Sequence, residues 1–258
     1  MASLNKGLQL LDLLGGEARG LPARDISAAL GYPPSTTYRL LAALGEAGYV
    51  LHLKSQGRYV LGYRLHHLGA ALHKQMGTPR SVARLVGDLS AAASAAAYYA
   101  VHRGEDIVIA QVADSPQYPR IPAMGFGFSG AIHATAFGKI LLAGFSEPEQ
   151  RLHLHRFGMQ PRTPRTITDE DTLIRQLRTV AREGLAVENA EYLPGTCCIA
   201  VAVCNGHGQT VGSVAVSVPA PVAPARMGYL GQLLRGTAFE IGTALRGIPV
   251  SAGSSGTG

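Results

Sequence analysis

The sequence predicts an α+β chain in two parts: an N-terminal winged helix-turn-helix, then a linker helix leading to a larger domain built on an antiparallel sheet. Three observations carry that expectation. Residues 22–51 read as a short helix, a tight turn around Gly31–Pro34 and a second, sharply started helix, which is helix-turn-helix spacing. Two strand-like runs, 49–53 and 58–61, follow at once and are joined by the polar stretch Lys54, Ser55, Gln56 and Gly57, a candidate wing. Beyond residue 80, helical and strand-like stretches alternate, and Asn205-Gly206 joins two apolar strands as a hairpin, which makes the sheet antiparallel.

Composition bounds the function. The chain has 258 residues, 47% hydrophobic and 16% charged, enough apolar content for a buried core and too little charge for a disordered chain. The net charge is +6 and the pI about 9.4, which favours polyanionic partners. Residues 1–78 hold eight Lys/Arg against four Asp/Glu, so this shorter part carries most of the excess. Three cysteines, two of them adjacent as Cys197 and Cys198, make a poor disulfide framework, and no signal-peptide pattern opens the chain. A reducing cytoplasm is therefore expected. No apolar run reaches the eighteen or so residues of a membrane span, so no membrane role is expected.

In chain order, residues 6–14 predict a first helix with Leu8, Leu11 and Leu14 inward, ended by Gly15-Gly16. Residues 22–30 predict a second, with Pro22, Ile26 and Leu30 on one side and Gly31 closing it. In the third, Pro33 and Pro34 fit the turn and first helical position, and Ser35 is the expected cap. Thr37, Leu40, Leu41 and Leu44 share a buried stripe, while Ser35, Thr36, Arg39 and Glu46 point away from it. Hydroxyls and a guanidinium on an open helix face suit phosphates and base edges. The candidate DNA contacts are Ser35, Thr36, Thr37 and Arg39 on this helix, with Lys54, Gln56 and Arg58 on the wing. Double-stranded DNA carries a charge about every 1.7 Å of axis, so the wing would position the module and the helix would read bases.

Residues 63–76 predict a linker helix with Leu65, Leu68, Leu72 and Met76 on one stripe, which a second copy of the protein would cover. His66, His67 and His73 lie here without a cysteine or carboxylate cluster and are read as surface or structural residues. The expected divisions are 1–62 for the winged helix, 63–79 for the linker, 80–248 for the second domain and 249–258 for a disordered tail.

The second domain begins with a helix over 81–89. Strands over 95–101 and 107–112 follow, joined by 102–106, and then a Pro/Gly-rich region, 114–130. Gly125, Gly127 and Gly130 meet the bare G-x-G-x-x-G pattern, but Pro119 and Pro122 interrupt any preceding strand and no acidic residue follows at the required place. Gly138-Lys139 fails as a phosphate loop because Ile140 stands where Ser or Thr is needed. A helix over 134–143 is followed by an amphipathic one that Thr168 would cap, with Asp171 at the capping-box position. Leu173, Leu177, Val180 and Ala181 face inward there until Gly184. Strands over 198–204 and 211–218 and a helix over 225–245 complete it. Cys198 and His133 could be imagined as nucleophile and base, but nothing orients the histidine, and Cys198, Cys204 and His207 lack a fourth zinc ligand. No catalytic residue, metal or cofactor is expected.

The chain resembles the IclR family of bacterial transcriptional regulators along almost its full length. The resemblance lies in STTYRLL, GYV and YVLGYRL in the first part. In the second it lies in IHATAFGKILLA, TPRTITD and REGLAVENAEYLPGTCCIAVAV. It implies a winged-helix domain, a dimerising linker helix and a GAF-like effector domain that binds a small, often carboxylate-bearing or aromatic metabolite. It also implies operator binding as a homodimer or homotetramer. Carried over motif by motif, the effector contacts fall on Gly130, Ala136, Phe137, Glu188, Thr196, Cys198, Ala215 and Ser217. Gly130, Ala136 and Cys198 are small enough to leave space, Thr196, Cys198 and Ser217 offer hydrogen-bonding atoms, and free amides near Gly130 could meet an anion. Relative to the family pattern, Ala131 and Ala202 replace common prolines, Phe137 is larger than usual and Ala215 lacks a hydroxyl, which favours a ligand larger or more apolar than glyoxylate. The expected function is a ligand-responsive DNA-binding regulator; the alternative is a Cys-dependent small-molecule enzyme on the GAF-like domain.

Overall fold

The computed structural model describes residues 2–246, so the expected tail at 249–258 lies outside the described residues. The chain divides between Gly77 and Thr78 into two compact units.

The first unit runs α1 (Ala2–Gly15), α2 (Ala23–Leu30), α3 (Pro34–Glu46), β1 (Val50–Leu53), β2 (Arg58–Leu61) and α4 (Arg64–Met76). Leu10, Leu14, Ala23, Ile26, Leu40, Leu41 and Val50 form its core. The inward stripe of α1 is Leu10 and Leu14, four residues apart on one face, and not Leu8, which lies two residues from Leu10 on the far side of the helix and is 51% exposed. Gly31 closes α2 with φ 65°, a left-handed conformation that glycine adopts without strain. Pro33 and Pro34 then start α3 by shape alone: Pro33 is the N-cap residue, no side chain caps the helix, and Ser35 lies inside its first turn. β1 and β2 pair antiparallel from Val50↔Leu61 to Leu53↔Arg58, and a bridge from Leu21 to Tyr59 ties the hairpin to the segment before α2. A Cβ on Gly62 would lie 2.2 Å from the Gly48 carbonyl oxygen, so only glycine lets the end of the wing pass this close to the end of α3. On α4, Leu68 and Leu72 are 49% and 44% exposed, while the side chains of His73 and Met76 lie outside the described residues.

The second unit runs α5 (Arg80–Ala93), β3 (Ala96–Arg103), β4 (Asp106–Ala113), α6 (Ala136–Ala143), α7 (Glu147–Phe157), α8 (Glu170–Glu183), β5 (Leu185–Asn189), β6 (Thr196–Cys204), β7 (Thr210–Pro219) and α9 (Ala223–Leu245). The five strands form one antiparallel sheet in the order β4-β3-β7-β6-β5. Because side chains alternate along each strand, the sheet builds two cores. Tyr99, Val214, Val216 and Ile199 pack with Val82, Val86 and Leu89 of α5 and Leu230, Leu234 and Ile241 of α9. On the opposite face Tyr98, Ala200 and Ala215 pack with Phe137 and Leu141 of α6 and Leu173 and Leu177 of α8. Burying each such leucine or valine contributes roughly 1.5–3 kcal/mol, so both faces must be covered.

Three local features depart from the expected pattern. Asp169 caps α8, accepting from the Thr172 amide at 2.8 Å, and Asp171 instead pairs with Arg151, so Thr168 and Asp171 do not form the cap. α7 and β5 were not anticipated. α7 is a polar helix opened by a Ser146–Glu149 capping box, and β5 adds the strand that carries Glu188.

Candidate functional site

The first site is the open face of α3 and the wing. Ser35 and Arg39 are exposed and Thr36 is half-buried. Thr37 is not on this face: it is 1% exposed and its Oγ1 faces the Pro33 carbonyl at 3.4 Å, as its place on the stripe of Leu40 and Leu41 requires. Lys54 and Gln56 are exposed at the hairpin turn, whereas Arg58 is half-buried and donates to the Gly20 carbonyl at 2.8 Å, bracing the wing against the segment before α2. Tyr38, 58% exposed, and His52 join this surface although neither was singled out from the sequence. With Ala42, Glu46 and Tyr59 they line a cleft of about 430 Å³ between helix and wing, and His52 stacks on Tyr59 at 4.3 Å and 7°. The His52↔Tyr59 pairing follows from hairpin register, which is the signal that could have found it.

The second site lies on the α6 face of the sheet. Strand pairing sets Ala96, Ser217, Cys198 and Glu188 side by side across β3, β7, β6 and β5. The adjacent row is Tyr98, Ala215, Ala200 and Ala186. One row is polar and the next nearly all alanine, so the floor is flat and chemically two-sided. Ala136 and Phe137 of α6 are buried beside the same floor. Gly138 lets the first turn of α6 pack against the turn that precedes it: a Cβ there would fall 2.2 Å from the Ile132 carbonyl oxygen. Gly130 is exposed at the edge, followed by Ala131 at φ 51°. Thr196 is half-buried, and its hydroxyl donates to the Leu193 carbonyl at 2.7 Å, closing the turn before β6.

The electrostatics are concentrated around Glu188. Its side chain is fully buried; Oε1 accepts from the Glu191 amide and, at 3.0 Å, from the Tyr192 amide. Oε2 is buried with no hydrogen bond of good geometry, although the Cys198 thiol on the neighbouring strand is close enough to favour the ionised carboxylate. Burial pushes the Glu188 carboxyl above the usual range, against the two amide hydrogen bonds that favour its ionised form. Burial also pushes the Cys198 thiol well up, and Glu188 adds to it, so this thiol is no ready nucleophile. His133 Nε2 donates to the Gln160 carbonyl at 3.2 Å, and burial depresses the pKa of the ring.

Several participants escaped the sequence reading. Lys139 of α6, considered there only as a phosphate-loop residue, is fully buried and pairs with Glu191 at 2.5 Å. A lone lysine inside the apolar run AFGKILLA was the available signal for such a pair. Phe128 stands edge-on to Phe137 at 6.3 Å and to Tyr192 at 5.6 Å, and the Arg162 guanidinium lies 5.2 Å from the Tyr192 ring centre. Thr163 and Thr166 donate to the Ala190 and Glu191 carbonyls at 2.7 and 2.6 Å, strapping the 160–167 segment over this corner.

An open recognition helix with a basic-tipped wing, followed by a separate α+β unit that encloses a polar buried corner, defines a helix-turn-helix transcriptional regulator with a sensory domain. The IclR helix-turn-helix domain model matches residues 3–53, and the model for the bacterial transcriptional regulator IclR C-terminal region matches residues 71–243. The chain belongs to the IclR family of bacterial transcriptional regulators. It is 28% identical over 244 residues to the HTH-type transcriptional repressor AllR of Escherichia coli K12, covering 94% of this chain and 90% of that one. Among solved structures it resembles IclR of Thermotoga maritima, with 26% identity, a TM-score of 0.76, and 95% of this chain and 99% of that one covered. It also resembles the inducer-binding domain of an Acinetobacter PobR double mutant in complex with 3-hydroxybenzoic acid. There the identity is 27% and the TM-score 0.57, covering 64% of this chain and 96% of that one.

Proposed function

We propose that this protein is a cytoplasmic repressor that binds operator DNA as a homodimer or homotetramer and changes its affinity when the corner around Glu188 takes up a small aromatic acid. The observation that carries this reading is the buried Glu188 carboxyl, whose Oε2 makes no hydrogen bond of good geometry, beside a row of alanines on the sheet floor. Two likenesses support it: AllR is a repressor, and the inducer-binding domain of the PobR double mutant forms a complex with 3-hydroxybenzoic acid. The DNA contacts proposed are Ser35, Thr36, Arg39, Lys54 and Gln56, with Arg58 bracing the wing. The effector contacts proposed are Gly130, Ala136, Phe137, Glu188, Thr196, Cys198, Ala215 and Ser217. Residues 63–79 link the two functions, α4 joining the copies. For ligand to act on DNA it must bind the DNA-competent and incompetent states unequally. A thermal-shift screen of aromatic and aliphatic acids, followed by footprinting upstream of the protein's own gene with and without each hit, tests the reading. Stabilisation by an aromatic acid with an altered footprint supports it, and stabilisation by aliphatic acids alone defeats the aromatic part. The elevated Cys198 thiol argues against a thiol-dependent enzyme.

A further inference from the structure

We propose that Arg162 is the carboxylate anchor of the effector site, so that the ligand lies with its acid group at the mouth and a hydrogen-bond donor against Glu188. This rests on the effector reading above and adds the ligand's orientation and the residue that selects for its charge.

Arg162 is an exposed cation with no carboxylate partner among the described residues. On the neighbouring helices Arg151 pairs with Glu147, Glu170 and Asp171, and Arg178 with Glu147, while Arg175 donates to the Thr172 hydroxyl; what distinguishes Arg162 is its place against Tyr192. The guanidinium of Arg162 is nonetheless held in place, over the Tyr192 ring and with Nη2 3.5 Å from the Tyr192 hydroxyl. From there the contacts run inward, Tyr192 to Phe128 to Phe137, as an aromatic wall leading to the sheet floor. At the inner end the polarity reverses. Glu188 Oε2 asks for a donor, and a ligand carboxylate turned that way would face another carboxyl group. Lys139 offers no alternative anchor there, because Glu191 already occupies it at 2.5 Å. A planar ring carrying a hydroxyl at one end and a carboxylate at the other satisfies both ends, with the hydroxyl donating to Glu188 and the carboxylate meeting the guanidinium fork.

Isothermal titration of the full-length protein with 4-hydroxybenzoate and with its uncharged isostere 4-hydroxybenzamide tests this, on the parent and on Arg162→Ala. The expected result is that Arg162→Ala weakens the acid about tenfold or more and leaves the amide within about twofold, since only the charge-assisted contact is removed. The melting temperature should not move, because the side chain is exposed. Equal weakening of acid and amide would make Arg162 a support for Tyr192 only and overturn the proposal, as would unchanged acid binding. If the parent binds neither probe, the aromatic-acid reading itself fails and the orientation falls with it. Parent binding of the acid with no effect of Arg162→Ala removes the anchor alone.

Discussion

Glu188 is a carboxyl group kept from water on the floor of the sheet, and its environment has a measurable sign. Because burial raises its pKa, the folded state holds that proton more tightly than the unfolded chain. Stability contributed by the protonated form is therefore present below the ordinary value near 4.5 and is lost as pH rises from there through the raised value. Glu188→Gln should gain stability relative to the parent as pH rises from about 4 to about 8, read as diverging urea midpoints. At the DNA face, Arg39→Ala should cost about 1–3 kcal/mol of operator affinity and relax base preference. Lys54→Ala should weaken all sequences alike and lower the salt slope by about 1. Thr37→Val, a change inside the core, should leave operator affinity unchanged in the same binding assay, because the side chain is 1% exposed.

At the scale of elements, α6 and the turn after β5 are joined by the Lys139–Glu191 pair. Burial depresses the Lys139 pKa even though Glu191 opposes it, so the cation is costly there and held by its partner. Lys139→Met strands Glu191 and should destabilise by about 3–5 kcal/mol, whereas Lys139→Met with Glu191→Leu should recover most of that loss in denaturant unfolding. This pair also explains where the sequence was readable. The helix-turn-helix, the wing and the Asn205-Gly206 hairpin announce themselves through turn chemistry and periodicity, which are local. α7 was hidden by its polarity, although its Ser146–Glu149 cap was open to reading. β5 was hidden because its inward residues are Ala186 and Glu188, and a buried glutamate does not look like a strand interior. The site was legible where motif resemblance marked small residues. It was not legible where distant segments meet, as Lys139 meets Glu191 and Arg162 meets Tyr192.

At the scale of the molecule, α4 leaves Leu68 and Leu72 about half exposed on one stripe, an apolar strip that a second copy would cover. Leu68→Asp with Leu72→Asp should shift the species seen by light scattering towards monomer. It should also weaken operator binding steeply, since two half-sites then have to be found independently.

The row Ala96, Ser217, Cys198 and Glu188 has a further consequence for the second unit. Its four residues come from four strands: β5, β6 and β7 follow one another along the chain, whereas β3 is separated from them by more than eighty residues that include α6, α7 and α8. A molecule resting on that row works as a tie across β3, β7, β6 and β5, because peeling away any one strand expels it. Amide protons of all four strands should then exchange with deuterated solvent more slowly together when the ligand is present, as one cooperative unit.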